Sequence, residues 1–513
     1  ELDPDNLPAD AQNWVNRRLQ YTHGYGVAMA PVSRVKGSGD PDFLVGDLPV
    51  LIDPSVDVTL DRPQLYVGEG LNGYAVVGAT RSEVDYTDEN QETQEVRYAD
   101  IGGEGGVGMG TLIRRAAFAL RFGQLEPLIS NFVTSDSRVF YVRDVRDRVE
   151  KLAPFLLFDA DPYPVLIDGR ILYVVDGYTT TDRYPYSQFA SSGELPRASG
   201  LSRHRFNYVR NSVKATVDAF TGEVIFYVVD EGDPLVASYG QAFAGLFTPA
   251  SEMPESLVAH LRYAEDLFRV QTEVWGRYHV EDTQNFYQRA SEWSVSQDPG
   301  RTGEGAANLA VVDDAGFRIG TTRMRMAPYR TMVALPGGED AEFVILRAFV
   351  PLDKDDARKE LAAFMVGRSD GDSYGELRGI DATTGERLWQ SDALTPPGRF
   401  GTAYFVRNGD RYFVTTDSGE LVIARFTPKG YEEIDRTPLL EPTLHTRGGA
   451  SGRWSDRTVL WAHPAFANGH VVARNGREII RASLVAADYA DDIAAVPVLT
   501  ARSDAAQDAR AVL

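Results

Sequence analysis

The chain has 513 residues, more than one ordinary hydrophobic core accommodates, so two or three domains are expected. A net charge of −22 argues against binding nucleic acid or an anionic membrane surface, because both attract basic proteins. The absence of cysteine excludes disulfides, thiolate catalysis and cysteine-ligated metals. No apolar run approaches the roughly 20 residues of a membrane span. Because the chain begins at Glu1 without methionine or a signal peptide, it is expected to be an excised or processed piece.

Two helices are predicted in the first 130 residues. Residues 10–23 predict a short helix that Asp10 caps and Gly24 ends. The second helix follows the glycine-rich segment 101–110, with Thr111 as its N-cap and Gly123 as its stop. Short strands are predicted at 64–67 and 74–78, and the acidic segment 81–100 is predicted to be a surface loop.

Two more helices flank the central part of the chain. A strand at 138–143 precedes a helix that Asp144 caps and Pro154 stops. Residues 254–275 give the longest helical pattern, because apolar residues recur on one stripe. The stripe consists of Leu257, Leu261, Phe268 and Trp275.

Residues 151–231 predict the core of the molecule. Segments 164–167 and 171–175 flank Asp168-Gly169, a strong hairpin signal, and a second hairpin turns at Thr221-Gly222. The returning strands are nearly continuous apolar runs, as in a sheet that is buried on both faces.

The predicted fold class is α+β. It has a mixed or antiparallel sheet core with packed helices, followed by an all-β, propeller-like C-terminal segment. The predicted parts are an N-terminal α+β part (1–150), core hairpins with the long helix (151–374), a β-repeat segment (375–484) and a poorly ordered tail (485–513).

Eight strings, in order and at plausible spacing over about residues 8–374, resemble uncharacterised protein family 0182. They are NWVNRRLQYTHGYG (13–26), RRAAFALRFG (114–123), DSR (136–138), RVEKLAPFL (148–156), DPYP (161–164), DGYTTTDRYPYS (176–187), RNSVKATVDA (210–219) and SEMPESL (251–257). The resemblance implies a bacterial membrane protein with several N-terminal spans and a large extracytoplasmic region. This chain is then expected to be the soluble part on the extracytoplasmic face of the cell membrane. The resemblance supplies no activity.

The C-terminal segment resembles blades of quinoprotein-type β-propellers. The strings are GELRGIDATTGERLW (375–389), GDRYFVTTDSGELVIAR (409–425) and AHPAFANGHVVARN (462–475). Two to three blades are too few for closure, since propellers have about four to eight. Either these blades complete a sheet supplied by the first part, or the sequence joins two unrelated genes near residue 375.

His23, between Tyr21 and Tyr25, is the most suggestive histidine for ligand binding. The alternative is a histidine at the end of a helix that forms hydrogen bonds with nearby backbone carbonyls, since no second histidine or carboxylate lies at the spacing of a ligand site.

A second group of polar, aromatic and basic residues lies beside the core hairpins and is the predicted ligand pocket. It comprises Asp182, Arg183, Tyr184, Tyr186, Arg210, Asn211, Ser212 and Lys214. Arg210 and Lys214 can hold an anionic headgroup. The alternative is a structural network that braces the sheet.

The glycine-rich segment contains G-x-G-x-x-G at Gly103, Gly105 and Gly108, which is consistent either with a phosphate cradle aided by Arg114 and Arg115 or with a tightly packed loop.

Calcium is a further alternative at four groups of acidic residues in turns. They are Asp40 with Asp42, Asp159 with Asp161, Asp230 with Glu231 and Asp233, and Asp370 with Asp372 and Glu376. No other cofactor and no catalytic residue is predicted.

The sequence favours a non-enzymatic binding, assembly or envelope-transport module. Its expected partners are the membrane, through spans outside this chain, and a lipid or envelope protein; a homo-oligomer is a further alternative, and nucleic acid is not expected. The alternative function is a fragment of an exported quinoprotein-like oxidoreductase.

Overall fold

The computed structural model describes most of the first 297 residues and shorter stretches beyond them. The described residues are 8–9, 11–88, 90–190, 195–280, 282–297, 308–312, 318–323, 325–333, 341–352, 361–368, 377–380, 387–391, 393–395, 402–446, 457–460 and 462–485. The chain divides into two compact units. The first unit is Glu1–Tyr329 with Ile345–Gly367, and the second unit is Arg330–Val344 with Arg368–Leu513.

Strand residues outnumber helical residues, at 37% against 18%, and the fold is a mixed α+β fold as predicted. The helices are α1 (Leu112–Phe122), α2 (Glu126–Ile129), α3 (Val145–Leu152), α4 (Pro234–Ala242), α5 (Glu255–Val258), α6 (Glu265–Tyr278) and α7 (Thr283–Gln288). Within the described ranges, no helix has the length and apolar character that crossing a bilayer requires. The strands of the same ranges do not close into a propeller.

The strands of the first 368 residues are short except for the two long strands of the central hairpins, Arg170–Thr181 and Tyr208–Asp218, and for Glu342–Pro351. They are β1 (Gly24–Tyr25), β2 (Val45–Gly46), β3 (Leu51–Ile52), β4 (Gln64–Leu65), β5 (Tyr74–Val77), β6 (Glu83–Thr87), β7 (Thr93–Val96), β8 (Val107–Gly108), β9 (Arg138–Tyr141), β10 (Leu157–Phe158), β11 (Tyr163–Ile167), β12 (Arg170–Thr181), β13 (Tyr208–Asp218), β14 (Val224–Val228), β15 (Phe247–Pro249), β16 (Trp293–Val295), β17 (Asn308–Val312), β18 (Arg318–Arg323), β19 (Tyr329–Val333), β20 (Glu342–Pro351) and β21 (Ala363–Arg368).

The remaining strands belong to the second unit. They are β22 (Leu377–Ile380), β23 (Arg387–Ser391), β24 (Ala403–Asn408), β25 (Arg411–Thr416), β26 (Glu420–Thr427), β27 (Gly430–Pro438), β28 (Leu444–Thr446), β29 (Arg457–Val459), β30 (Ala465–Ala467), β31 (His470–Arg474) and β32 (Ile479–Ser483). Strands β24 to β27 form an antiparallel sheet in chain order, and β30 to β32 form a smaller one.

A six-stranded sheet is the centre of the first unit. Its order is β10-β12-β13-β14-β15, with β11 also paired to β12, and every pairing except β14 with β15 is antiparallel. One face packs Val175, Ala215 and Phe226 into the main core, and the other packs Val174 and Tyr227 against α5. The prediction of a sheet buried on both faces is therefore confirmed.

The predicted hairpins are also confirmed. The first turns at Asp168 and Gly169, whose φ angles of 50° and 71° are the positive values that a two-residue turn of this kind requires. In the second, the Asp218 carboxylate accepts hydrogen bonds from the backbone N–H groups of Phe220 and Thr221, both at 2.8 Å, and so fixes the turn.

Two predicted helices form with the predicted caps. Thr111 accepts a hydrogen bond from the N–H of Arg114 at the start of α1, and Gly123 ends the helix in the left-handed conformation. Asp144 accepts one from the N–H of Asp147 at the start of α3.

The helix predicted at 10–23 is shorter than expected and is largely a π-helical turn, Asn16–Gln20. The predicted cap, Asp10, lies outside the described residues. Asn13 occupies the capping role, because its side chain accepts a hydrogen bond from the N–H of Asn16 at 3.0 Å. The chain leaves the helical conformation at Tyr21, before the predicted stop at Gly24.

The prediction of one long helix at 254–275 is wrong, because α5 and α6 are separated by residues 259–264. The backbone between them is engaged by distant side chains. Lys214 donates to the carbonyl of Arg262 at 3.0 Å, and the Arg262 N–H donates to the Tyr163 hydroxyl at 3.1 Å. At Arg262, these hydrogen bonds take the place of those that a continuous helix would form along its own backbone.

Candidate functional site

The segment 81–100 is not the predicted loop but a hairpin, β6 and β7, with a bulge between Val84 and Tyr86. The hairpin carries Glu83 and Asp85 to the two edges of the His23 ring. His23 Nδ1 lies 3.3 Å from Glu83 Oε2, and Nε2 lies 3.2 Å from Asp85 Oδ1. The histidine side chain is fully buried.

Each carboxylate also has partners of its own. Glu83 accepts hydrogen bonds from the hydroxyls of Thr22 and Tyr66, and Asp85 accepts one from the Gln64 amide at 3.0 Å. Such hydrogen bonds offset the cost of burying a carboxylate. The result is a network of neighbouring side chains around His23.

The charge state of His23 follows from this arrangement. Burial by itself lowers the pKa of the imidazole, but the hydrogen bonds and charges of Asp85 and Glu83 together raise its pKa above the ordinary value. The geometry does not suit a metal ion, because the two carboxylates face opposite nitrogens of one ring and cannot converge on a common point. When it is protonated, His23 is therefore a buried cation between two anions, and the raised pKa extends that state to higher pH.

A cavity of about 600 Å³ adjoins this network, and Glu83 is one of its lining residues. Most of the other lining side chains are arginines, hydroxyls and acidic residues, and alanines, glycines and Tyr98 complete the wall. The polar lining residues include Arg81, Arg97, Asp100, Thr134, Ser135, Asp136, Ser137 and Arg138. This volume is in the usual range for a small-molecule site.

The three arginines of the cavity differ in what holds them. Arg138 donates to the carbonyls of Gly105 and Gly106, so its guanidinium is structural. Arg81 lies over the ring of Phe132 at 5.2 Å, and Arg97 is exposed. Within the described part of the chain, neither Arg81 nor Arg97 has an acidic partner. The cavity therefore offers two guanidinium groups to an anion, beside the carboxylates of Glu83, Asp100 and Asp136.

A second buried network lies at the start of α6. Asp159 accepts hydrogen bonds from the Tyr178 hydroxyl and from the Asp266 N–H at 2.9 Å, and Asp266 accepts one from the Ala160 N–H at 3.0 Å. Burial, then the charges of Asp266 and Asp176, raise the pKa of Asp159 to about 7. Burial likewise raises the pKa of Asp266. The charge of each buried carboxylate opposes ionisation of the other, which favours a protonated Asp159.

Lys214 does not face solvent. Its ammonium group forms a buried ion pair with Asp176, and it donates to the Arg262 carbonyl. Arg210 is paired with Asp230 at 3.0 Å. Since both cations already have carboxylate partners, an anionic headgroup would have to displace them.

The other residues of the predicted pocket are spread out. Asp182 and Arg183 lie on an exposed turn and approach each other at 3.8 Å, and Tyr186 is fully exposed. Tyr184 stacks on Tyr208 at 5.6 Å between ring centroids. The two remaining members face the sheet: Asn211 donates to the Gly177 carbonyl at 3.2 Å, and Ser212 donates to Asp233 at 2.6 Å. These contacts match the bracing network that the sequence left as the alternative.

The glycine-rich segment is packed rather than open. A side chain at Gly103 would overlap the ring of Tyr98, and one at Gly105 would overlap the carbonyl of Thr221. Arg115 donates to the carbonyls of Pro127 and Ser130, at 2.9 and 2.8 Å. The contacts favour the tightly packed loop over a phosphate cradle.

Of the acidic turns, Asp370, Asp372 and Glu376 lie outside the described residues. Among the residues that the structure does describe, no group of three or more histidine, aspartate or glutamate side chains is arranged to hold a metal ion.

Sequence reasoning found His23 but missed its partners. The signal was the alternation in EVDYT at 83–87, which places Glu83 and Asp85 on one side of a strand. The surrounding segment is acidic, which is typical of a solvated loop, and this led to the prediction of a loop instead of a strand.

Comparison with known proteins identifies the family. Residues 1–388 match the sequence model of an uncharacterised protein family (UPF0182). The UPF0182 protein of Methanospirillum hungatei is 39% identical over 377 residues, covering 74% of this chain and 38% of the relative. The UPF0182 proteins of Pelotomaculum thermopropionicum and Moorella thermoacetica are each 38% identical, over 74% of this chain and 37% of the relative. The chain belongs to this family, as the motifs predicted, and spans less than two fifths of the length of these relatives.

Proposed function

We propose that the chain is the extracytoplasmic part of a multi-span membrane protein of the bacterial cell envelope, and that it acts as a non-enzymatic binding or assembly module. Family membership and the much greater length of the relatives support this proposal. The partners we propose are a lipid or an envelope protein, with self-association as a further alternative.

The observation that carries the binding role is the polar cavity beside Glu83. Arg81 and Arg97 offer guanidinium groups without an acidic partner in the described chain, and Thr134, Ser135 and Ser137 add hydroxyls. These groups suit a small, hydroxyl-bearing anion. Behind the cavity, both ring nitrogens of His23 are engaged with carboxylates, which favours retention of a ligand over proton transfer to it.

Native mass spectrometry of the purified chain, followed by calorimetric titration with glycerol 3-phosphate, tests this role. We expect Arg81→Gln/Arg97→Gln to weaken anion binding at least tenfold, because each charge-assisted hydrogen bond contributes about 1.5 kcal/mol or more.

The matched control is Arg34→Gln/Arg197→Gln, which removes the same charge at exposed positions of the first unit. Equal weakening in the control would contradict the site, as would a wild-type chain that carries no anion and binds none.

The second candidate is a fragment of an exported quinoprotein-like oxidoreductase. It is favoured by the antiparallel meander β24 to β27 and by Trp389, whose indole donates to the Thr427 carbonyl at 2.8 Å. We propose that this segment is built of propeller-like blades. Stoichiometric binding of pyrroloquinoline quinone with calcium would favour this candidate over the binding module.

A further inference from the structure

Helix α1 buries only one of its sides. Phe118 and Phe122 pack against the cluster that contains Tyr74 and Val139, and Ala119 on the same side is buried. Successive residues of an α-helix are rotated by about 100°, so the opposite side carries a second apolar stripe. That stripe is Ile113, Ala116, Ala117 and Leu120.

The exposure of this second stripe is unusual for residues of its type. Ile113 and Leu120 are 83% and 86% exposed, and Leu112, at the start of the helix, is 70% exposed. Helix α2 extends the surface with Leu125 and Ile129, also two-thirds exposed. We call these five side chains the α1–α2 face. Contiguous exposed aliphatic residues mark an interaction surface.

The charge of α1 is opposite to that of the whole chain. The helix contains Arg114, Arg115 and Arg121 and no acidic residue, in a chain of net charge −22. Arg115 is tied to the carbonyls after α2. Arg114 and Arg121 lie along one edge of the outward stripe. Arg114 donates to the Gly108 carbonyl at 3.4 Å, and the Arg121 guanidinium lies 5.0 Å from the centre of the Tyr141 ring, so within the described residues neither is paired with a carboxylate.

A small cavity continues this edge. It has a volume of about 280 Å³, and Arg121, Arg148 and Lys151 line it together with Val107 and Leu152. Val107 and Leu152 are themselves about half exposed. Cationic groups next to exposed aliphatic side chains match a phospholipid, whose phosphate lies next to its acyl chains.

We propose that the α1–α2 face lies on a phospholipid bilayer, with its aliphatic side chains at the boundary between headgroups and acyl chains. Arg114 and Arg121 then meet lipid phosphates, and Lys151 does so by exchanging its exposed partner Asp147, 3.9 Å away, for a phosphate. The inference rests on the proposed position of the chain at a membrane. The acidic surface elsewhere does not prevent this contact, because screening limits its reach to about 8 Å at physiological salt.

Flotation of the purified chain with vesicles of phosphatidylcholine and phosphatidylglycerol tests the proposal. We expect the wild type to float and Ile113→Glu/Leu120→Glu to bind more than tenfold more weakly, since two charges enter the apolar boundary. Arg114→Gln/Arg121→Gln should weaken binding about fivefold per arginine and reduce its salt dependence.

The control is Val32→Glu/Tyr287→Glu, the same charge change at positions that are 99% and 88% exposed in the same unit. Circular dichroism checks that every variant is folded. Equal loss in the control, a wild type that does not float, or a dimer that Ile113→Glu/Leu120→Glu dissociates would each overturn the proposal. Anion binding at the cavity beside Glu83 is measured in parallel. A chain that binds no anion would contradict the proposed function, and a chain that does not float would contradict this inference.

Discussion

His23 and Asp85 lie 62 positions apart in the sequence, yet they meet where the histidine side chain is fully buried. Breaking a buried ion pair by removing one partner costs about 3 to 5 kcal/mol, because the remaining charge stays desolvated. The His23 site therefore ties the N-terminal segment to the β6–β7 hairpin through charge as well as packing.

The first prediction concerns the pH dependence of this site. The pKa of folded His23 is raised above the value of about 6.5 in the unfolded chain. The contribution of His23 to the free energy of unfolding is therefore complete below about pH 6.5. It is lost as the pH rises through the folded-state pKa. His23→Gln should lower the free energy of unfolding by about 3 kcal/mol near pH 6 and flatten this decline.

Urea denaturation at a series of pH values above and below 6.5 measures the effect. His204→Gln is the control, since that histidine is exposed and bonded only to a local carbonyl. Parallel pH profiles for His23→Gln and the wild type would show that the imidazole is buried without charge.

At the scale of elements, the features that depend only on neighbouring residues were predicted correctly from the sequence. The caps at Thr111 and Asp144 and the turn at Asp168-Gly169 required only neighbouring residues. The break between α5 and α6 could not be predicted in this way, because Lys214 and Tyr163 engage its backbone from far along the chain. The partners of His23 were missed because the acidic segment that carries them is typical of a solvated loop, and because Glu83 and Asp85 lie about 60 positions from the histidine.

The second prediction concerns the glycine-rich segment. Gly105→Ala should destabilise the first unit by about 2 kcal/mol, because the added methyl group overlaps the Thr221 carbonyl in a packed region. Gly37→Ala, which has open space around it, should change the free energy of unfolding little. Thermal denaturation of the two variants compares them; equal stability would mean that the segment moves freely.

For the molecule as a whole, the two buried networks change the stability in the same direction as the pH rises. His23 and Asp159 both hold protons more tightly in the folded state than in the unfolded chain. Folding therefore takes up protons, and the first unit loses stability as the pH rises. The net charge of −22 adds repulsion that also grows with pH.

The third prediction separates the contribution of the acidic pair. Since the unfolded pKa of an aspartate is about 3.9 and that of folded Asp159 is about 7, the pair should reduce stability progressively between these values. Asp266→Asn removes the neighbouring charge and retains an acceptor for the Ala160 N–H. It should stabilise the first unit by about 1 to 2 kcal/mol at neutral pH.

Calorimetry from about pH 5 to 8 measures this change. Asp147→Asn, at an exposed position of α3, is the control. A loss of stability in Asp266→Asn at every pH would mean that the second carboxylate is needed in its charged form.

The interrupted helix pattern at 254–275 has a consequence for the order of folding. Asp159, which receives the N–H of Asp266 at the first turn of α6, lies 107 positions earlier in the chain. An isolated helix of this length is marginal in water, so its nucleation needs outside partners. Those partners are in place only after β10 and β12 have paired. Helix α6 is therefore expected to be completed late, on a sheet that has already assembled.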